Sequence, residues 1–275
     1  MSSEKEHVID ASDRKLFDWR ELFFYKELFY FFTWRDIKVK YKQTSLGFMW
    51  AILQPLLMMV IFTFFFGRAL KVPSQNLPYP IFVFSGLLIW TIFSSGLTNS
   101  ANSMVNNATI IKKIYFPRLV IPVSSILVSL FDFLMAFILF LPLLLFYHQP
   151  VSWIAIWCWP VSLIATIIAT LGPGSLLAAL NVKYRDFRYV IPFLVQILFF
   201  MTPVIYPVSM LEHPVLQYVV VLSPMYAAIE LFRLPLTGEF PDPVFMMLSI
   251  GSGIVLLVSG LIYFRRTEHF FADFA

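Results

Sequence analysis

Few side chains in this chain could do chemistry, and their spacing argues against most of it. His7, His148, His213 and His269 are scattered, and Cys158 is the one cysteine. A single thiol excludes an intrachain disulfide and a cysteine metal cluster. No metal-spaced histidines, paired carboxylates or nucleophile triad stand out. There is no G-x-x-x-x-G-K-[ST] phosphate loop, and Gly172-Pro173-Gly174 lacks its Lys-Ser/Thr ending. Asp132 is the one acidic residue near the middle of an apolar run. An intramembrane carboxylate is a functional candidate by default, and a polar contact with a neighbouring helix is the competing reading. A proton relay would need further acidic or histidine partners inside the spans, and the sequence has none. Glu230 and Arg233, three apart, can pair on one helix face. Holding a hairpin together is the preferred role for them, ahead of substrate binding.

The composition explains this scarcity. Of 275 residues, 59% are hydrophobic and 13% charged, with a mean hydropathy of +0.79. A soluble domain has roughly 45–50% apolar and about 25% charged residues, so this is a membrane protein. The 31 Phe and 7 Trp point the same way. Nucleic-acid binding is excluded on charge placement, because the basic residues flank apolar spans and form no basic module. The N-terminal MSSEKEHVIDASDRK lacks the apolar core and cleavage site of a signal peptide, so a retained cytoplasmic N-terminus is expected.

The elements follow from the apolar runs. Residues 1–47 read as a cytoplasmic N-terminus, with an aromatic helix over Leu16–Trp34 lying along the membrane or packed under the spans. Arg35, Lys38, Lys40 and Lys42 make a basic collar that anchors the first span. Six spans fill residues 48–264: Phe48–Phe66, Ile81–Leu97, Leu119–Phe146, Trp153–Leu180, Tyr189–Tyr206 and Val244–Phe264. Pro55 kinks the first, and Gly172-Pro173-Gly174 breaks the fourth. Val215–Leu222 and Met225–Leu234 read as two short helices that enter the bilayer on its outer side and return, between spans five and six. Residues 265–275 form a cytoplasmic tail.

Between spans two and three lies a polar, basic island, Asn99–Pro117. Ala101, Met104, Val105, Ala108 and Ile111 recur at spacings of three and four, which is one helix face. Asn99, Asn102, Ser103, Asn106, Asn107 and Thr109 fill the other face, and Lys112, Lys113 and Arg118 follow. A short amphipathic helix held between two spans is placed to receive a push from a soluble partner. With the N-terminus inside, seventeen of the twenty Lys and Arg residues face the cytoplasm, the pattern of the positive-inside rule. Only Arg68, Lys71 and Arg233 fall outside.

Several stretches resemble one family. WRDIKVKYKQTSLGFMWAILQP (Trp34–Pro55), NATIIKKIYFPRLVIP (Asn107–Pro122), VKYRDFRYVIPF (Val182–Phe193) and LFFMTPVIYP (Leu198–Pro207) resemble, in order along the whole chain, the polysaccharide-exporting ABC transporter permeases. The resemblance implies an all-α integral membrane protein of the bacterial inner membrane: six transmembrane helices, an N-terminal interfacial helix, a cytoplasmic coupling helix and re-entrant outer-side helices. It implies a homodimer served by two separate ATP-binding subunits. No cofactor would sit on this chain, with ATP and Mg on the partner ATPase. The cargo would be a polyprenyl-diphosphate-linked glycan, with an O-antigen first among capsule and teichoic-acid alternatives.

On that reading, Ala101, Met104, Val105, Ala108 and Ile111 dock into a groove on the ATPase. Lys112 and Lys113 meet its acidic rim or lipid phosphates, and Arg185 and Asp186 in the second cytoplasmic loop join the contact. Sugar rings have apolar faces that aromatic platforms can cover. Phe62, Phe65, Phe66, Trp90, Phe93, Phe199, Phe200 and Tyr206 are the candidate lining. Arg35, Lys38, Lys40 and Lys42 are candidates to attract the lipid diphosphate. The rival readings are an ABC permease for a small lipophilic drug or lipid, an ion-coupled carrier, and a membrane enzyme acting on lipid-linked sugar.

Overall fold

The computed structural model describes residues 25–42, 46–114, 116–184, 186–268 and 271. The expected stretch Leu16–Trp34 is therefore seen only from Tyr25 onward, and Arg185 lies outside the described residues. Among the described residues the regular structure is all helical. Helix α1 is Lys26–Lys42, so the basic collar forms its last turns instead of a separate linker. Its one buried residue is Phe32, while Tyr30 and Phe31 are exposed. Most of α1 is therefore exposed, with Phe32 as its point of burial.

Helix α2, Met49–Phe62, buries Pro55 within it and continues as a π-helical turn, Thr63–Ala69. Helix α3, Tyr79–Asn106, is the centre of the molecule. It begins with Pro78 and Pro80, whose fixed φ suits a first turn. Its 28 residues reach about 42 Å, beyond the ~30 Å of hydrocarbon. This corrects the expected end of span two at Leu97. The island's polar residues do not end the helix, because they bond back to their own helix. Thr98 Oγ1 donates to Ser94 O (2.8 Å), Asn102 Nδ2 to Thr98 O (2.8 Å) and Asn107 Nδ2 to Ser103 O (2.8 Å). The break comes at Asn107, and one turn, α4 (Ala108–Ile111), follows.

Helices α5 (Val120–Phe146) and α6 (Ala155–Lys183) are the next two spans. The break expected in α6 at Gly172-Pro173-Gly174 is absent; the helix runs through it. Its glycine does something else. A Cβ on Gly172 would lie 2.5 Å from Leu256 O, and one on Gly260 would lie 2.0 Å from Gly172 O. Two backbones meet there with no side chain between them, a close approach typical of membrane helices.

Helix α7, Phe187–Met201, has 15 residues and about 22 Å of length, shorter than the expected Tyr189–Tyr206. A non-helical turn, residues 202–207, completes it. The two short helices then appear as expected: α8 (Pro214–Val221) and α9 (Met225–Thr237), bent by 91°. Helix α9 ends at Gly238 in the left-handed conformation (φ 71°), whose N–H donates to Leu234 O. Helix α10, Pro243–Thr267, opens with Asp242 accepting from the Val244 N–H at 2.8 Å.

Among the described residues, five helices are long and apolar enough to cross a membrane, or six if the bent pair α8–α9 counts as one span. Helix α3 packs along α5 and α6, and α6 is flanked by α9 and α10. One apolar cluster joins Phe84, Ile89, Phe140, Phe232 and their neighbours around α3. A second gathers Phe32, Met104, Ile111, Phe116, Val182, Phe264 and Phe271 at the end of the bundle where the basic residues lie.

Candidate functional site

The island sits at this basic end, and its apolar face is already covered. Ala101 and Met104 have no exposed surface, and Ile111 has 6%. Met104 and Ile111 cluster with Phe32 of α1, Ala178 and Val182 of α6, and Phe264 of α10, and Ala101 belongs to the central cluster with Leu97 and Leu177. Val105 and Ala108 are half-buried. The expectation that this stripe forms a free docking face is corrected on packing grounds: a continuous α3 turns it inward onto its own chain. What remains outside is Asn99, Asn106, Thr109, Lys112, Lys113 and Ile114, with Ile114 61% exposed. Ile114 was not among the expected contacts. Its signal in the sequence was an apolar residue directly after two lysines.

The second loop lies against the first. Asn181 Nδ2 donates to Ala101 O at 3.0 Å and to Asn102 Oδ1 at 3.1 Å. Asp186 is exposed at the start of α7, with no side-chain bond to the helix end. The C-terminal end closes the same surface. Arg118 Nη1 donates to Glu268 O, and Phe271 packs edge-on to Phe264 with centroids 5.2 Å apart.

The four collar cations do not form one anion site. Arg35 is used by Asp36 (2.7 Å) and Asn107 Oδ1 (2.7 Å), and it stands over the Phe32 ring at 4.7 Å. Lys40 pairs with Asp132, which also accepts from the Tyr41 hydroxyl. Burial, and then the Asp132 carboxylate, hold the Tyr41 phenol well above its ordinary range, so it stays a donor at any physiological pH. Lys38 lies over Trp34 at 5.3 Å, exposed like Lys42. Asp132 is thus tied to a neighbouring helix, the structural alternative raised for it. The arrangement fastens α1 at its middle and at its C-terminal end: to the α3–α4 break through Arg35 and to α5 through Lys40 and Tyr41.

Six of the eight candidate aromatics come together from three helices. Phe199 of α7 stacks on Phe62 (5.7 Å) and meets Trp90 edge-on (5.4 Å). Phe62 meets Phe66 (5.8 Å), Trp90 meets Phe93 (5.2 Å), and Phe199 meets Phe200 (5.4 Å). Trp90 and Phe93 are buried behind the others, so they back this surface rather than line it. Phe65 points elsewhere, paired with Phe64 at 5.3 Å and 55% exposed. The Tyr206 hydroxyl donates to Phe200 O at 2.8 Å, which folds the 202–207 turn back onto α7.

The expected ion pair also forms: Arg233 Nη1 lies 3.6 Å from Glu230 Oε1. Arg233 is fully buried, which the sequence did not indicate.

Comparison with known proteins fits this architecture. The family model described as "ABC-2 type transporter" matches residues 27–236, which runs from α1 to the end of α9. The chain belongs to the ABC-2 type transporter family. Among relatives of this ABC-2 chain, the O-antigen export system permease protein RfbA of Klebsiella pneumoniae is 30% identical over 241 residues, covering 88% of this chain and 92% of that one. RfbA of Myxococcus xanthus is 30% identical over 257 residues, covering 92% and 97%. The polysialic acid transport protein KpsM of Escherichia coli is 23% identical over 240 residues, covering 85% and 91%. These relatives are named as transport proteins, the two RfbA chains as permeases, and the ABC-2 chain is a multi-pass membrane permease.

Proposed function

We propose that this chain is the membrane permease of an exporter for a polyprenyl-diphosphate-linked cell-surface polysaccharide, an O-antigen first. The observation that carries the reading is the near full-length similarity to two O-antigen export permeases at 30% identity. The aromatic surface shared by α2, α3 and α7 supports it, since sugar rings stack on such platforms. The basic end of the bundle is the cytoplasmic end, with both termini there, and the membrane is the bacterial inner membrane.

The energy enters through a partner. Two copies of an ABC ATP-binding subunit, holding ATP and Mg, work on a homodimer of this chain. Thr109, Lys112, Lys113, Ile114 and Asp186 are the exposed groups that meet each subunit, and Arg185 belongs to the same loop. Ile114 is the apolar knob, and the two lysines meet an acidic rim. A stroke at α4 reaches the spans along two routes. One is the continuous α3; the other is α1, bonded to Asn107 below and Asp132 above. The dimer then alternates between rigid-body arrangements around the aromatic path. Phe62, Phe66, Phe199, Phe200 and Tyr206 face the glycan, with Trp90 and Phe93 behind them. Lys38 and Lys42 are the collar cations left to attract the lipid diphosphate.

The test is reconstitution of the chain with its ATP-binding subunit in vesicles loaded with lipid-linked glycan. ATP-dependent appearance of glycan on the opposite face is the expected result. Transport by the chain with no nucleotide-hydrolysing subunit present would refute the reading.

A further inference from the structure

Arg233 is a costly residue to bury. It has no exposed surface, and a charge buried this way must be compensated by its neighbours. Holding α9 in place would need only an apolar side chain. Glu230, one turn earlier on α9, balances the charge; what Arg233 adds is a fork of donors whose hydrogen-bond targets lie outside its own hairpin. Nη1 donates to Pro203 O at 3.0 Å. Nη2 donates to Val204 O at 2.7 Å and to Phe82 O at 3.0 Å. Nε reaches Ser85 Oγ at 3.4 Å, and the guanidinium stands 3.7 Å from the Phe82 ring centroid. The next carbonyl, Ile205 O, accepts from the Tyr79 hydroxyl at 2.8 Å. Three consecutive carbonyls of the turn after α7 are therefore held by side chains of α3 and α9.

That turn has left the helix, and its carbonyls have lost their helical partners. At membrane depth such groups must be satisfied by protein. The close fit extends to Gly86, where a Cβ would lie 2.6 Å from Arg233 Nη2 and 2.9 Å from Val204 O. Tyr206 bonds back to Phe200 O, and Phe199 stacks on Phe62, so the turn and the aromatic group are one mechanical unit. We infer that Arg233 is a positioning residue: it holds the 202–207 turn against α3 and thereby sets the aromatic surface at the far mouth of the transport path. This inference rests on the permease reading for the path, but the hold on the turn can be measured without any cargo.

The experiment uses the complete permease–ATPase complex, with the buried Cys158 changed to Ala and a reporter at Met201→Cys, the last residue of α7. The rate of labelling by a membrane-impermeant maleimide from the outer side is read beside ATP-driven export. Gly86→Ala wedges the same contact while Arg233 stays. Arg233→Lys keeps the charge but loses the fork. Arg233→Ala removes both. Each variant is expected to raise labelling, by about tenfold or more for Arg233→Ala, where several bonds to a charged group are lost, and to lower export in the same order. If Arg233→Ala fails to reach the membrane, the other two variants decide. Unchanged labelling in Gly86→Ala and Arg233→Lys overturns the hold on the turn. Raised labelling with full export overturns its place on the transport path. If the unaltered complex exports no glycan, the permease reading fails, while the labelling ratios still decide the hold.

Discussion

Met104 and Ile114 lie on either side of the α3–α4 break, and a charge would act differently at each. Met104 is buried among Phe32, Ile111 and Val182, so Met104→Asp leaves an unpaired carboxylate in an apolar cluster. The expected outcome is a loss of several kcal/mol and a sharp fall in folded protein extracted from the membrane, not a clean uncoupling. Ile114 is exposed, so Ile114→Asp should insert and fold normally. On the proposed reading it weakens ATPase binding, read by co-purification, and reduces export with little change in thermal melting. At Asp132, the Lys40 and Tyr41 contacts argue for anchoring. Asp132→Asn should lower the melting temperature by the equivalent of about 1–3 kcal/mol, the cost of disrupting bonds to a charged group. Export should persist with an unchanged pH profile across neutrality, the range in which a proton relay would show itself. Loss of export with normal folding would return Asp132 to the transport chemistry.

At the scale of elements, the crossing of α6 and α10 is the contact most sensitive to one added carbon. Gly260→Ala puts a Cβ 2.0 Å from Gly172 O, so the two backbones must separate. Overpacking of this kind costs typically about 1–3 kcal/mol. Gly251→Ala, on the same helix with nothing within 4 Å, is the control and should melt like the unaltered protein. Equal melting of the two variants would show that the crossing is loose. Local pattern identified α8 and α9 within a few residues, because Pro214, Pro224 and Gly238 punctuate them. It read the island as a separate short helix rather than the end of α3, because polar residues interrupt the apolar run there. Their bonds to carbonyls one turn back keep the helix going, and hydropathy does not register such bonds.

For the whole molecule, α3 lies mostly inside protein, while α2, α7 and α10 leave long apolar faces uncovered. On the dimer proposal, the α2 and α7 faces meet across the two-fold axis. Cysteines at Phe65 in a Cys158→Ala background should then cross-link between subunits in native membranes. Monomeric behaviour under oxidation, with export intact, would place the interface elsewhere. The same arrangement predicts that ATP hydrolysis by the partner subunit rises when the permease is present, and that Lys112→Glu with Lys113→Glu reduces the rise without altering insertion.

Sequence by itself determined the class of the molecule: length, hydropathy and basic flanks specify a helical membrane chain with a basic end. It also determined the candidate aromatics, since ring-rich segments are visible in one dimension. Tertiary structure alone decided which face of the island is free, which cations are already paired and what Arg233 holds. Those depend on the angle at which distant helices meet. A helical period shows that Met104 and Ile111 share a face, but only packing shows that α1, α6 and α10 already occupy it.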